Sequence, residues 1–195
     1  MTQPDDPSDA ALASRAAAGD ERAFAGLVRR HKEPLYRLLR RYTGDRDEAY
    51  EAAHEAFISA WAKMDRYDPA RPFGAWLRAI AVNKARDRMR RMAFRRLFFG
   101  GKALEDTPEA MVRPDPSPGQ DEAADDARTM AALNHAIAAL PAPLKEALLL
   151  TAFDGLPHAE AGAILKVSAK TVETRAHRAR KLLAERLDPA LRPRR

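Results

Sequence analysis

PHAEAGAILKVSAKTVETRAHRARKLLAERL, residues 157–187, holds two apolar patterns of helical period separated by a three-residue break. Pro157 suits the start of the first, which contains Ala161, Ile164 and Leu165; Lys166, Val167 and Ser168 form the break, and Ser168 can cap the second. There Val172, Ala176, Ala179, Leu183 and Leu187 recur three or four residues apart, so they share one face of a long helix. A short bracing helix, a tight turn and a longer second helix is the spacing of a helix-turn-helix. With the apolar stripe turned inward, Lys170, Thr171, Glu173, Thr174, Arg175, Arg178 and Lys181 lie on or beside the outer face. Those groups bond phosphates and base edges. A plain surface helix could carry the same charges for solubility, but the capped turn, the apolar register and the excess of cations together favour DNA.

The same period extends through most of the chain, and β-branched and aromatic residues nowhere alternate over a useful length, so the fold class is all-α. Ser8 can cap a first helix ending at Gly19, and Asp20 a second carrying Phe24, Leu27, Val28, Leu35, Leu38 and Leu39, with a kink expected at Pro34. After Asp47 a third helix bears Ala49, Ala52, Ala53, Ala56, Phe57, Ala60, Trp61 and Met64 on one stripe. Asp68-Pro69 marks a loop, and Pro72 opens a fourth helix with Phe73, Trp76, Leu77 and Ile80. Further on, Met130, Leu133, Ile137 and Leu140 define a helix ended by Pro141, and Leu144, Ala147, Leu148 and Thr151 another that stops near Gly155.

Between these groups the composition changes. From Glu105 to Asp126 eight acidic residues face the single Arg113, a net −7, with prolines at 108, 114, 116 and 118. Such a segment cannot gather enough apolar surface to pack and reads as a flexible acidic linker. The expected organisation is two small helical domains, residues 1–99 and 127–190, joined by a linker over 100–126 and followed by a basic tail at 191–195.

Overall the chain of 195 residues carries a net charge of +6, which suits a polyanionic partner without choosing among nucleic acid and an acidic surface. Part of that charge is concentrated at the end of the fourth helix. From Lys84 to Arg96 there are seven basic residues and one acid, Asp87. The run follows Phe73, Trp76 and Asn83, and cations joined to aromatic and amide groups are the combination expected for single-stranded nucleic acid. Alone it would read as a solvated face, and Phe73 and Trp76 as core. There is no cysteine, which excludes disulfides and thiolate chemistry. The five histidines have no metal-ligand spacing, since His54-Glu55 meets Ile58 where a zinc-protease pattern needs histidine. No phosphate-binding glycine loop and no nucleophile motif occur, so neither an enzyme nor a cofactor is expected. With no signal-peptide pattern and no long apolar run, the expectation is a cytoplasmic protein without membrane insertion.

Residues 47–91, DEAYEAAHEAFISAWAKMDRYDPARPFGAWLRAIAVNKARDRMRR, resemble the second conserved region of extracytoplasmic-function sigma factors of the sigma-70 family, through the patterns FxxAW, YDPxRPFxxWL and NxxxDxxR. Residues 133–187 resemble the fourth region. The resemblance implies an RNA polymerase specificity subunit that recognises and melts promoter DNA. It implies docking on the clamp of the polymerase largest subunit through Glu51, His54, Glu55, Ile58 and Lys63, and a contact to the beta flap. Arg66, Tyr67, Asp68, Arg71 and Trp76 would capture a flipped base of the minus-ten element, while Asn83, Lys84, Asp87, Arg88 and Arg91 would touch that element or the strand beside it. The helix after Ser168 would read the minus-thirty-five element, and an anti-sigma protein would hold the factor inactive.

The sequence departs from the family pattern at His54, where Gln is usual, and at Tyr50 and Glu51, which replace a common Glu-Asp pair. Lys166 fills a turn position often held by glycine, where a left-handed backbone would strain it. Gly162 replaces a usual alanine and should loosen the bracing helix. Two other readings of the residues remain. A free-standing dimeric transcription factor explains the helix-turn-helix but not the basic fourth helix. A structural interaction module would bind its partner without the salt dependence that phosphate contacts impose.

Overall fold

A computed structural model describes residues 7–98 and 120–187; the expected tail at 191–195 and most of the expected linker lie outside them. Every regular element among the described residues is helical: α1 (Asp9–Ala17), α2 (Glu21–Thr43), α3 (Arg46–Trp61), a 3-10 turn (Met64–Arg66), α4 (Phe73–Phe98), α5 (Gln120–Ala138), α6 (Ala142–Leu148), a π-helical turn (Leu149–Phe153), α7 (His158–Leu165) and α8 (Ala169–Arg186).

Side-chain caps start the helices as their sequences indicate. Ser8 accepts from the Ala11 amide at 3.2 Å, Asp20 from Ala23 at 3.0 Å and Asp45 from Glu48 at 2.8 Å; each such cap is worth about 1 kcal/mol. The third helix therefore begins at Arg46, a little before the expected start. α2 runs on through Pro34. α5 begins at Gln120, inside the stretch read as linker; an acid-rich sequence also suits a helix N-terminus.

Helices α1 to α4 form one sub-domain. Ala49, Ala52, Ala53, Ala56 and Ala60 are all buried, and these small side chains let α3 lie close to α2 and α4. Leu27, Leu38, Leu39, Phe73 and Leu77 fill the space between. Asp9 ties α1 to α2 through Arg30 at 2.8 Å and His31 at 2.6 Å. The second sub-domain packs α6 and α7 on α8, with Ala147, Leu148, Ala161, Val172, Ala176 and Ala179 inside.

A polar seam joins the two. Glu146, only 3% exposed, accepts from Tyr42 Oη at 2.9 Å and from Arg86 Nε and Nη2 at 2.9 and 2.6 Å. Lys145 Nζ donates to the Tyr42 carbonyl at 2.9 Å and to the Ala138 carbonyl at 2.5 Å. Burial drives the Lys145 ammonium down to about 8, against the pull of Glu146, and burial likewise raises the Tyr42 phenol. Nearby, a Cβ on Gly44 would sit 2.7 Å from that of Ala138, and Gly44 has φ 75°. Only glycine fits where the end of α2 meets α5. The π-helical turn, in which the Asp154 amide donates to Leu149 O, ends at Asp154, whose carboxylate meets Arg78 Nε of α4 at 2.5 Å.

Candidate nucleic-acid and polymerase interface

The turn before α8 explains both residues that looked out of place. Lys166 does adopt the left-handed conformation, φ 57° and ψ 44°, and its amide donates to Gly162 O. A Cβ at Gly162 would lie 2.7 Å from Val167 O. At Gly162 the missing side chain makes room for the turn to fold back on the helix. Ser168 then caps α8, accepting from the Thr171 amide at 3.1 Å.

Val172, Ala176, Ala179 and Leu183 are buried, which turns Lys170, Thr174, Arg178 and Lys181 to solvent. Thr171 and Arg175 are half-buried, and Arg175 lines a hollow with Arg86, Met89 and Arg90 of α4. Glu173 pairs with Lys170 at 2.9 Å, and this hydrogen bond holds its carboxyl below the usual range. His177 is exposed and lines a hollow with Lys170, Glu173, Thr174, Arg180 and His158. Sequence reasoning passed over His177, although its three- and four-residue spacing to Thr174 and Lys181 places it on their face.

On α4, Asn83, Asp87 and Arg91 are exposed, spaced four residues apart along one face, and Lys84 is half-buried. Arg88 is engaged inside the sub-domain: it contacts Glu48 and donates to Glu55 at 3.0 Å, and the Glu48 hydrogen bond raises its affinity for its proton. Arg86, another member of the basic run, is turned to Glu146 at the seam. Two of the run's cations thus satisfy buried or half-buried carboxylates.

Before α4, the loop is braced by Tyr67, whose hydroxyl donates to Arg71 O at 2.5 Å. Its ring packs on Phe73 at 5.8 Å and Trp76 at 5.2 Å. Phe73 is fully buried and so is core, while Trp76 is half-buried. Arg66, Asp68 and Arg71 are exposed. A hollow of about 500 Å³ lies against this loop and is lined also by Leu156 and by Glu160 of α7. On α3, Glu51, His54 and Ile58 are exposed, Lys63 is exposed just beyond the helix, and Glu55 is half-buried with Arg88 and Arg91.

This arrangement has counterparts. Residues 27–95 match the family described as sigma-70 region 2, and residues 130–183 match sigma-70 region 4. The chain is 36% identical to the RNA polymerase sigma factor CnrH of Cupriavidus metallidurans, covering 93% of this chain and 95% of CnrH. The chain belongs to the sigma-70 family, in its extracytoplasmic-function group. It is also 33% identical to the extracytoplasmic-function factor SigE of Mycolicibacterium smegmatis, over 94% of this chain and 69% of SigE. The solved structure of CnrH in complex with the cytosolic domain of CnrY superposes with a TM-score of 0.66 at 31% identity, covering 91% of this chain and 95% of that one. As a sigma factor the chain directs promoter-specific initiation and performs no catalysis itself. Among the described residues, no helix is long and apolar enough to cross a membrane.

Proposed function

We propose that this sigma factor reads two promoter elements with two separate faces of one chain. Domain 1–99 takes the minus-ten element: Arg66, Tyr67, Asp68, Arg71 and Trp76 frame the pocket for a flipped base, and Asn83, Lys84, Asp87 and Arg91 meet the opened strand. Extruding a base costs a few kcal/mol of stacking, so a pocket that accepts only certain bases couples recognition to melting. Arg88 acts from behind, fixing Glu48 and Glu55 so that α3 and α4 hold one geometry.

Domain 127–190 takes the minus-thirty-five element. Lys170, Thr174, Arg178 and Lys181 face the major groove, Glu173 is held by Lys170, and Thr171 and Arg175 meet the flank. The observation that carries this reading is the buried stripe of α8, which leaves a polar, cation-rich face turned outward behind a capped turn.

Glu51, His54, Glu55, Ile58 and Lys63 form the docking face for the clamp of the largest polymerase subunit, and the second domain meets the beta flap. The linker, whose last residues from Gln120 onward already belong to α5, connects the two readers, and the tail at 191–195 adds positive charge. A cytoplasmic location follows from these partners. CnrH is held in complex with the cytosolic domain of CnrY, which supports an equivalent anti-sigma partner covering the polymerase-facing surfaces here.

The test is transcription by core polymerase on genomic DNA with and without this chain. Start sites that appear only in its presence, sharing two spaced elements, are expected. Unchanged selectivity, or no association with core enzyme, overturns the proposal.

A further inference from the structure

Beyond Arg91 the exposed face of α4 changes chemistry. Asn83, Asp87, Arg91, Phe94 and Phe98 follow one another at spacings of four, four, three and four residues, so they lie along one side of the helix. Phe94 and Phe98 are 55% and 67% exposed, and their rings stack on each other with centroids 4.2 Å apart. Two phenylalanines paired with each other in open solvent leave a broad apolar plate uncovered. A hollow of about 610 Å³ borders Phe94, lined also by Glu55, Arg88, Arg90, Arg91 and Arg95. The one carboxylate there, Glu55, is already held by Arg88 at 3.0 Å and Arg91 at 3.9 Å. Neither Arg90 nor Arg95 has an ionic partner among the described residues.

We propose that Phe94 and Phe98, with Arg90 and Arg95, form an additional subsite for unpaired DNA bases. It rests on the role given to α4 under the proposed function and extends its single-strand track beyond Arg91 by about 10 Å, the rise of about seven helical residues from Arg91 to Phe98. The chemistry selects this occupant over others. A polyanion without bases is served by the arginines but gains nothing from a stacked aromatic plate. An apolar protein surface would have to desolvate the guanidinium groups to reach the rings. Unpaired nucleotides use both features, the phosphates on the cations and a base face on the rings, and such stacking does not depend on sequence. The subsite therefore adds affinity for opened DNA without adding sequence choice.

Because the pair is exposed in the free chain, the full-length protein can be titrated directly with a fluorescein-labelled single-stranded oligodeoxynucleotide and with heparin as a base-free polyanion. The double variant Phe94→Ala/Phe98→Ala is expected to bind the single strand about tenfold more weakly, the size of one base–aromatic stack. Its salt dependence and its affinity for heparin stay as they were. Arg95→Gln weakens both ligands and lowers the single-strand salt slope by about 0.7. Phe94→Leu/Phe98→Leu keeps the apolar area without the π-face and is expected to resemble the alanine variant. Unaltered binding by either double variant overturns the subsite, and so does a loss confined to association with core polymerase, which would make the rings a protein contact. Asn83→Ala and Arg91→Gln run alongside separate the two levels. If they weaken single-strand binding and the phenylalanine variants do not, only the extension fails; if none matters, the role given to α4 fails with it.

Discussion

Arg86 and Arg90 stand one turn apart on α4 and line one hollow, yet among the described residues only Arg86 has a carboxylate to answer it. Arg86 is locked to Glu146 through two hydrogen bonds at the seam, with Tyr42 and Lys145 around it. Arg90 is exposed. The same division runs through the other cations: Arg78 meets Asp154 and Arg88 meets Glu48 and Glu55, whereas Arg178 and Lys181 on α8 face solvent with no ionic partner among the described residues. Residue type does not distinguish a structural cation from a DNA-binding one. A carboxylate from another helix within hydrogen-bonding distance does, since it consumes the charge that a phosphate would otherwise use; Arg91, 3.9 Å from Glu55, stays outside that distance.

The largest expected effect of breaking that division falls at the seam. Glu146→Ala strands the Arg86 guanidinium and the Tyr42 hydroxyl, and loss of one partner of a buried pair costs about 3 kcal/mol, read as a lower midpoint in urea unfolding. Lys170→Ala on the outer face of α8 breaks an exposed pair and should leave the midpoint unchanged. Equal effects at the two positions would erase the distinction.

On the outer faces the effects move to DNA. Arg178→Ala should weaken binding to the upstream element by about 1 to 3 kcal/mol if its contact is bidentate to a base, with relaxed selectivity at one position. Lys181→Ala should weaken binding to all sequences alike and reduce the salt slope by about 1. Arg175→Ala sharpens the comparison, because Arg175 sits half-buried beside the seam. Its effect on upstream recognition should be smaller than that of Arg178→Ala, in quantitative footprinting with holoenzyme.

The seam also carries a pH signature that the outer faces lack. Lys145 titrates near 8 in the folded chain and near 10.5 when unfolded. Between those values the unfolded state binds more protons, so stability rises with pH, by at most about 1.4 kcal/mol per unit. Above pH 10 Tyr42 opposes the trend, because its raised phenol keeps a proton that the unfolded chain releases. Lys145→Met should abolish the rise seen in unfolding midpoints between pH 8 and 10.

The smallest effect is at the turn. Lys166→Gly removes left-handed strain but gives back part of the gain as unfolded-chain entropy, leaving a stabilisation of about 0.5 kcal/mol. The reverse kind of change, Gly162→Ala, should destabilise α7 and α8 because Val167 O occupies the space.

Local features were legible in the sequence. The caps Ser8, Asp20 and Ser168, the alanine stripe of α3 and the buried register of α8 each depend on residues three or four apart, and a window of one or two turns contains the whole signal. The seam was not legible, because Tyr42 and Glu146 are 104 residues apart and Arg86 and Glu146 are 60 apart; nothing in PAPLKEALLL marks Glu146 or Lys145 as buried. The basic run of α4 was visible as charge, but which of its cations faced inward depended on those distant carboxylates. The close approach at Gly162 was not legible for a similar reason: helix propensity describes the helix alone, and the contact that requires glycine comes from the following turn.

The central claim is that α4 and α8 read separate elements. A promoter found with this factor can be scanned base by base for transcription by holoenzymes carrying the unaltered chain, Asn83→Ala or Arg178→Ala. The account predicts that Asn83→Ala flattens the response only in the downstream element and Arg178→Ala only in the upstream one. If both variants flatten the same positions, or neither flattens any, the division of labour between the two helices is contradicted.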